Sequence, residues 1–214
     1  MFVRERMSVN VVTVTPKTTI AEAVELMKKH QIRRLPVVEG ERLVGFVTDK
    51  DLSEASPSTA TTLSIFEINY LLAKTRISEI LRKDRPTITI HPDATLEECA
   101  LLMRDNKIFG VPVVENGKLV GVITETDIFD AFIDIMGIRS PGVRIHIHVP
   151  DRPGMLADVT RIIAKHGANI SHIVSDSNVD GTFSVVLRLQ LDDCSEIVKE
   201  LKEQGYEVIS ATRK

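Results

Sequence analysis

Two short segments carry residue types that could bind a phosphorylated sugar. Each has a glycine, two apolar residues and then Thr-x-x-Asp, with Thr48 and Asp51 in the first segment and Thr124 and Asp127 in the second. At the start of a helix, unpaired backbone N–H groups and the positive end of the helix dipole attract phosphate, and a carboxylate there can accept from a vicinal diol. Thr-x-x-Asp is also close to a capping box, which would only start the helix. Because capping does not require the same glycine context twice, the repetition favours nucleotide binding.

The other candidate groups predict neither a catalytic nor a metal centre. His146 and His148 lie two residues apart on a predicted strand, which is a spacing suited to metal ligands, but no third ligand stands at a recognisable position. A solvated polar face is the simpler interpretation. No Ser/His/Asp or Cys/His set has a context that would activate a nucleophile. Cys99 and Cys194 show no CxxC spacing, so we expect both to be core thiols.

An internal repeat places the two Thr-x-x-Asp segments at equivalent positions. Residues 12–52 match residues 88–128 without a gap at an offset of 76, and 16 of these 41 positions are identical. Self-similarity over such a length indicates two copies of one structural unit. We expect the two copies to bury their apolar faces against each other.

Each copy predicts the order β-α-β-β-α. A short alternating strand precedes a capping box, at Thr19 and Glu22 in the first copy and at Thr95 and Glu98 in the second, which opens an amphipathic helix. Two β-branched strands then flank a turn, and a second helix follows. The predicted strands are residues 12–14, 35–38, 43–47, 88–90, 111–114 and 119–123, and the first helix of each copy ends near residues 30 and 106. A loop-like stretch from residue 56 and a helix over residues 65–74 join the copies.

The final third predicts a different domain. After a linker at residues 140–142, residues 143–149 alternate strictly between apolar and polar, which is typical of a half-buried strand. In the turn that follows, Asp151 is a candidate N-cap and Pro153 suits the first position of a helix that Gly167 ends. The remaining predicted elements are strands at residues 168–174, 182–191 and 206–211, a turn at residues 178–181 and a helix at residues 195–204. The order β-α-β-β-α-β is ferredoxin-like, so the whole chain is predicted to be an α+β protein.

These motifs resemble two known domain types. Residues 1–138 resemble a tandem pair of CBS domains, a Bateman module, on HQIRRLPVV at residues 30–38, GFVTDKD at 45–51 and GVITETD at 121–127. Residues 143–214 resemble an ACT domain on DRPGML at residues 151–156 and GANI at 167–170. Together with ASPS at residues 55–58, this architecture resembles the bacterial acetoin utilization protein family. The predicted domains are residues 1–55 and 77–138 for the CBS copies, 56–76 for their linker and 143–214 for the ACT domain.

The resemblance to CBS domains implies an adenine nucleotide ligand: AMP, ADP, ATP or S-adenosylmethionine. In that family the Asp of the Thr-x-x-Asp turn holds the ribose hydroxyls and the Thr lies near the phosphate. The residues that would take these roles are Thr48 and Asp51 in the first copy and Thr124 and Asp127 in the second.

The two copies differ at positions that often reach the phosphates in CBS domains. Arg33 and Arg34 stand there in the first copy, and Phe109 and Gly110 in the second. A guanidinium pair can grip phosphate in bidentate fashion, so charge favours a tighter site in the first copy. Two alternatives stay open. The arginines reach across a shared cleft to a ligand held by the second copy, or they are solvated charges at the end of a helix.

The resemblance to ACT domains implies a second small ligand, such as an amino acid, at the first strand-to-helix turn. In that family the turn often works with the Asn-Ile segment of a neighbouring copy. The implied residues are Arg152, Gly154, Met155, Leu156, Asn169 and Ile170. The alternative is that Pro and Gly only shape the turn, that Leu156 belongs to the core and that the domain only dimerises.

Composition argues against two classes of partner. The chain has 27 Lys and Arg against 30 Asp and Glu, a net charge of -3, which gives no basic footprint for nucleic acid or for an anionic membrane. Only 4% of the residues are aromatic, and no apolar stretch approaches the roughly 20 residues that span a bilayer. The first residues lack the pattern of a signal peptide, so we expect a cytoplasmic protein.

The sequence therefore predicts a non-enzymatic regulatory sensor. It would bind an adenine nucleotide in the CBS cleft and a small metabolite or amino acid at the ACT domain, form a homodimer and act on an unknown target protein in acetoin or related carbon metabolism. One alternative is an interaction or dimerisation scaffold with vestigial ligand sites. Another is an enzyme whose substrate lies in the CBS cleft, which the lack of a catalytic set disfavours.

Overall fold

The computed structural model describes residues 1–57, 62–81, 86–178 and 181–213. The chain forms two compact units, Met1–Phe129 and Asp130–Lys214. Among the described residues, no helix combines the length and the apolar character needed to cross a membrane.

The first unit repeats one arrangement of elements, as the internal repeat predicts. In chain order the elements are α1 (Ile20–His30), β1 (Arg34–Glu39), β2 (Arg42–Thr48), α2 (Asp49–Glu54), α3 (Ile65–Lys74), α4 (Ile77–Ile80), α5 (Leu96–Asn106), β3 (Gly110–Glu115), β4 (Lys118–Thr124) and α6 (Glu125–Ile135), the last of which continues past the unit boundary. The strands form two antiparallel hairpins in one sheet of order β1-β2-β4-β3. Residues 58–61 of the predicted loop before α3 lie outside the described residues.

The two hairpins have the same register. Pro36 pairs with Phe46 in the first hairpin and Pro112 pairs with Val122 in the second. Each hairpin shifts register directly after the residue that follows the proline, between Val37 and Val38 in the first and between Val113 and Val114 in the second. Because the shifts are also 76 residues apart, the two repeats have the same strand pairing residue by residue.

The predicted strands at residues 12–14 and 88–90 are wrong as strands. Each is reduced to a single parallel bridge, Val14 with Val37 and Ile90 with Val113. Pro16 and Pro92 follow two residues later and have no N–H to extend a ladder, which limits the pairing. The bridges still anchor the chain, because Val14 and Ile90 are buried.

Each repeat is completed by the segment that precedes the other repeat in the chain. Two antiparallel bridges make these connections: Phe2 with Thr95, and Arg76 with Thr19. Val3, whose N–H donates to the carbonyl of Ala94, and Ile77, whose N–H donates to the carbonyl of Thr18, are both fully buried. Residues 1–6 therefore complete the second repeat, and α4 completes the first.

The predicted capping boxes of α1 and α5 are both formed. In α1 the Glu22 N–H donates to Thr19 Oγ1 at 3.2 Å, and the Thr19 N–H donates to the Glu22 carboxylate at 2.8 Å. The residues that end α1 and α5, Gln31 and Lys107, lie in the left-handed region with φ of 53° and 54°. The helices themselves end at His30 and Asn106, as predicted. The left-handed conformation of the two residues that follow was not indicated, because Gln and Lys are uncommon in that region.

The second unit is a ferredoxin-like fold, as predicted. Its elements are β5 (Val143–Pro150), α7 (Met155–Lys165), β6 (Ile170–Ser177), β7 (Thr182–Leu189), α8 (Ser195–Glu203) and β8 (Glu207–Arg213), and its antiparallel sheet has the order β6-β7-β5-β8. The apolar residues of β5 are buried with those of α7, α8 and β7 in one core. The intervening residues Arg144, His146 and His148 are half-buried, which confirms the half-buried strand.

The start of α7 differs from the prediction. Pro153 precedes the helix, and Asp151 does not cap it, because the N-cap is Gly154 at φ +83°. A left-handed residue makes the turn here, so helical geometry begins only at Met155. Val179 and Asp180 of the predicted turn between β6 and β7 lie outside the described residues.

Candidate functional site

Thr48 and Asp51 form a full capping box, and Asp127 accepts the same two hydrogen bonds from Thr124. At the start of α2, the N–H and Oγ1 of Thr48 donate to Asp51 Oδ2 at 2.8 and 2.6 Å. At the start of α6, the same two groups of Thr124 donate to Asp127 Oδ2, both at 2.7 Å. All four residues are half-buried. The capping role that the sequence suggested is therefore real, and any ligand contact is made by residues that also start a helix.

A cleft of about 420 Å³ in the first unit brings the two repeats together. It is lined by residues 8, 10–12, 31–34, 36, 122 and 124–126. Arg33 and Arg34 of the first repeat therefore line the same cleft as Thr124 of the second, as in the alternative in which the arginines reach across. Asp127 does not line the cleft itself but accepts a hydrogen bond from Thr124, which does. Thr48 and Asp51 are not among the lining residues.

The starts of α2 and α6 differ in their place relative to the cleft, although the first N–H of each helix is already bonded, to the carbonyl of Arg33 in α2 and to that of Phe109 in α6. The first three N–H groups of α2 donate to the Arg33 carbonyl at 2.9 Å, to Asp49 Oδ1 at 2.9 Å and to Thr48 Oγ1 at 3.2 Å. A phosphate would have to displace these acceptors. The start of α6 contributes Thr124, Glu125 and Thr126 to the wall of the cleft. Of the two helix starts, α6 is thus the better candidate for contact with an anion.

Arg34 is the most constrained cation of the cleft. It is half-buried, and burial is the main reason why the pKa of its guanidinium lies below the usual value. The carboxylates of Glu125 and Asp49 act in the opposite direction, and the neighbouring charge of Arg33 adds to the lowering. The Arg34 stem lies over Gly110, where a Cβ would come within 2.9 Å of Arg34 Cδ. A half-buried guanidinium in the wall of the cleft can donate charge-assisted hydrogen bonds to an anion.

A second cavity of about 510 Å³ shares residues 31–33 with the cleft. Its walls combine apolar side chains of α1 and α2, including Met27 and Leu52, with the charged groups of Lys28 and Asp49. Arg33 therefore lies between two concave surfaces. The sequence did not indicate residues 10–12 or Gln31 as lining residues, because they belong to no motif of charged or catalytic type.

The predicted ligand residues of the second unit lie in two separate places. Asn169 and Ile170 line a shallow cleft of about 410 Å³ along α7, which none of the predicted residues at 152–156 lines. Arg152 is ion-paired with Asp158 at 2.7 Å, and this contact raises the pKa of the guanidinium. Met155 is buried and Leu156 is 40% exposed, so the alternative in which Leu156 belongs to the core is wrong.

The two histidines of β5 take part in ordinary polar contacts. His146 Nε2 lies 2.7 Å from Ser184 Oγ, and His148 Nδ1 lies 3.4 Å from a carboxylate oxygen of Glu207. Burial, then the charge of Arg144 and then His148, lower the pKa of His146. These contacts are what a polar sheet face predicts.

The two thiols differ in burial. Cys99 is buried, and burial raises the pKa of its thiol to about 11, as expected of an inert core cysteine. Cys194 is only half-buried at the N-cap of α8, so its assignment to the core is only partly right.

One cluster of potential metal ligands was not indicated by the sequence. Among the described residues, ligand atoms of His91, Asp93 and Glu115 lie within 4.8 Å of one another. Arg4 already pairs with both carboxylates, with Asp93 in close contact and with Glu115 at 3.9 Å. One guanidinium of the N-terminal segment therefore partly compensates the charge of the two carboxylates.

Comparison with known proteins identifies both domain types. The family model of the CBS domain matches residues 3–58 and 77–134. The chain belongs to the CBS domain family. The model of the ACT domain matches residues 143–206, so a CBS pair is followed by an ACT domain. CBS and ACT domains are typically regulatory modules.

Two curated relatives each match more than half of the chain. The chain is 38% identical over 121 residues to inosine-5'-monophosphate dehydrogenase of Korarchaeum cryptofilum, covering 56% of this chain and 22% of that enzyme. It is 30% identical over 126 residues to the CBS domain-containing protein YhcV of Bacillus subtilis, covering 59% of this chain and 81% of YhcV. The chain thus spans about a fifth of the enzyme but most of the small CBS protein.

Solved structures with the same fold include ligand complexes. The Vibrio cholerae protein named for acetoin utilization, AcuB, has a TM-score of 0.53 at 28% identity, over 65% of this chain and 95% of that one. The CBS pair of MJ0100, in complex with 5'-methylthioadenosine and S-adenosylmethionine, has a TM-score of 0.50 at 31% identity over 62% and 99%. CBSX2 in complex with AMP has a TM-score of 0.51 at 26% identity over 63% and 97%.

Proposed function

We propose that this CBS protein is a non-enzymatic, cytoplasmic sensor that binds a phosphorylated adenine nucleotide in the cleft of its first unit. The observation that carries the proposal is the meeting of Arg33 and Arg34 with Thr124 in one cleft of about 420 Å³. Two guanidinium groups supply the charge-assisted hydrogen bonds that phosphate favours, and the start of α6 adds its helix dipole. Ribose would be held by Asp127 or, on the other side of the module, by Asp51.

Two solved structures of similar CBS proteins support a ligand that contains adenosine. One solved CBS structure of the same fold contains AMP, and another contains 5'-methylthioadenosine and S-adenosylmethionine. The arginine pair favours ligands that carry phosphate over the cationic S-adenosylmethionine, because like charges repel in a half-buried cleft. AcuB supports a role in acetoin or related carbon metabolism.

A thermal-shift panel of AMP, ADP, ATP, S-adenosylmethionine and amino acids tests the proposal. A ligand that binds only the folded chain adds about 2.7 kcal/mol of stability at 100 times its dissociation constant. We expect the phosphorylated nucleotides to raise the melting temperature most. Stabilisation by none of the panel would contradict the sensor and leave a scaffold with vestigial ligand sites. Stabilisation by amino acids would support a second site in the ACT domain at residues 152–156 or 169–170.

The scaffold is kept as a second candidate because α6 exposes an apolar face. Phe129 is 62% exposed, and Phe132, Ile135 and Met136 are also exposed. Burial of such a face in a second copy would complete a homodimer. Light scattering at micromolar concentration should then show twice the 23.8 kDa of one chain, and a concentration-independent monomer would exclude this assembly.

A further inference from the structure

Arg34 and Gly110 occupy the same position in the two repeats, and they contact each other. A Cβ placed on Gly110 would lie 2.9 Å from Arg34 Cδ and 3.1 Å from Arg34 Nε. Gly110 is not among the residues with positive φ, so the glycine is needed for space and not for backbone conformation. The two repeats are related by a pseudo-two-fold axis, and a residue that contacts the equivalent residue of the other repeat lies on that axis. Only one large side chain fits at this point.

The acidic groups around Arg34 also form a repeat-related pair. Asp49 and Glu125 are the first residues of α2 and α6, and the charges of both stabilise the protonated guanidinium of Arg34. Their backbone N–H groups make equivalent bonds, to the carbonyls of Arg33 and Phe109. One half-buried guanidinium therefore interacts electrostatically with an acidic residue of each repeat.

We propose that Arg34 is shared by the two halves of the CBS pair, so that the module binds one phosphorylated adenine nucleotide tightly and disfavours a second. This inference rests on the proposed function of the cleft. A phosphate beside Thr124 would attract the guanidinium to that side. The equivalent site on the other side of the CBS pair, at the start of α2, would then keep the carboxylate of Asp49. This second site has Phe109 where the first site has Arg33.

Two lysines near this second site do not replace the arginines of the first site. Lys50 and Lys107 take the repeat positions of Thr126 and Gln31, and both are exposed. Lys50 also lies 3.6 Å from a carboxylate oxygen of Glu54. Exposed ammonium groups are screened by water and salt, whereas a half-buried guanidinium binds phosphate with fixed geometry. The asymmetry between the halves therefore favours the Thr124 side.

Calorimetric titration of the full chain with AMP tests the sharing of Arg34. We expect one tight equivalent per chain, and a second equivalent weaker by about 5- to 150-fold, the usual range of coupling between sites. Adenosine, which has no phosphate, should show a much smaller difference between its two equivalents. Two AMP equivalents of equal affinity would overturn the sharing while leaving the nucleotide cleft itself intact. No heat with any adenine ligand would instead contradict the proposed function.

The variant Arg34→Met removes the charge and keeps an apolar stem over Gly110. We expect it to weaken the tight AMP equivalent by roughly 10- to 150-fold, the loss of a charged hydrogen bond, and to reduce the ratio between the two equivalents. Gly110→Ala provides a second variant, because its Cβ would push the Arg34 side chain off the axis without changing any charge. Arg42→Ala, an exposed arginine at the far end of β2, is the control and should bind as the parent does. If Arg34→Met folds, binds AMP and keeps the parent ratio, Arg34 is not shared.

Discussion

Asp51 and Asp127 form a matched pair of residues, because each accepts the same two hydrogen bonds from the Thr three residues before it. From the sequence, the arginine pair favoured a tighter site in the first copy. The cleft places those arginines with Thr124, and this shifts the expectation to Asp127. Replacement by Asn should cost either helix about 0.3–1 kcal/mol, the value of a carboxylate in a first turn.

Only Asp127→Asn should also weaken the tight AMP equivalent, by about 1.5–3 kcal/mol, because a charged hydrogen bond to the ribose diol is lost. Adenosine should lose the same amount, since it has the same diol. Calorimetry with both ligands measures the difference, and the equal loss of helix stability in the two variants serves as the internal control. Equal AMP affinities in Asp51→Asn and Asp127→Asn would exclude an unequal ribose role.

The guanidinium groups of Arg33 and Arg34 should discriminate ligands by phosphate. The double variant Arg33→Ala with Arg34→Ala should weaken AMP by about 1.5–3 kcal/mol for each charged hydrogen bond that is lost, and should spare adenosine. The comparison of AMP with adenosine in one calorimetric series isolates the phosphate contribution, with Arg42→Ala as an exposed arginine outside the cleft. Unchanged AMP affinity in the double variant would mean that both arginines are solvated charges only.

At the scale of elements, Gly142 and Gly154 flank β5 and both have positive φ, but they differ in space. A Cβ on Gly142, at φ +120°, would lie 2.2 Å from the backbone oxygen of Leu189, whereas a Cβ on Gly154 meets nothing within 4 Å. The first contact involves the backbone of β7, which pairs with β5 from Val143 onward and cannot move alone.

We therefore expect Gly142→Ala to cost more than about 2 kcal/mol, since strain and displacement of β7 add. Gly154→Ala should cost about 1–2 kcal/mol, the left-handed backbone penalty alone. Hydrogen exchange of the β5 and β7 amides would rank the two variants. If Gly154→Ala were the more damaging, the space around Gly142 would not be the deciding factor.

The elements that the sequence predicted well are those with a local signal. The capping boxes at Thr19 and Thr95 mark helix starts because their hydrogen bonds are formed within four residues. The helix ends near residues 30 and 106 were also predicted, but the left-handed conformation of Gln31 and Lys107 has no such signal, because both side chains are of ordinary helical type. The reduction of residues 12–14 to one bridge depends on Val37, which is distant in sequence.

At the scale of the whole molecule, the repeat predicted the two helix starts of the candidate site but not which arginines they meet. Arg33 and Thr124 are far apart in sequence, and their meeting in one cleft depends on how the two hairpins join through β2 and β4. The exchange of end segments was also not predicted. The match at an offset of 76 begins at residue 12, whereas Phe2 and Arg76, which make equivalent bridges, are 74 residues apart.

This exchange of segments predicts that the two repeats unfold together. Val3→Ala truncates a fully buried side chain that belongs to the start of the chain but packs on the second repeat, and should cost about 2–3 kcal/mol from lost burial and the cavity left behind. A loss of 2 kcal/mol raises the exchange rate of globally protected amides roughly 30-fold. Because residues 1–6 complete the second repeat while α4 completes the first, the exchange rates of the β1 and β2 amides should rise by the same factor as those of the β3 and β4 amides.

The control is Val9→Ala, at a residue 63% exposed, which should leave both sets of exchange rates unchanged. Acceleration confined to β3 and β4 would show that the second repeat opens on its own, and the CBS pair would then be two separately stable halves rather than one cooperative unit.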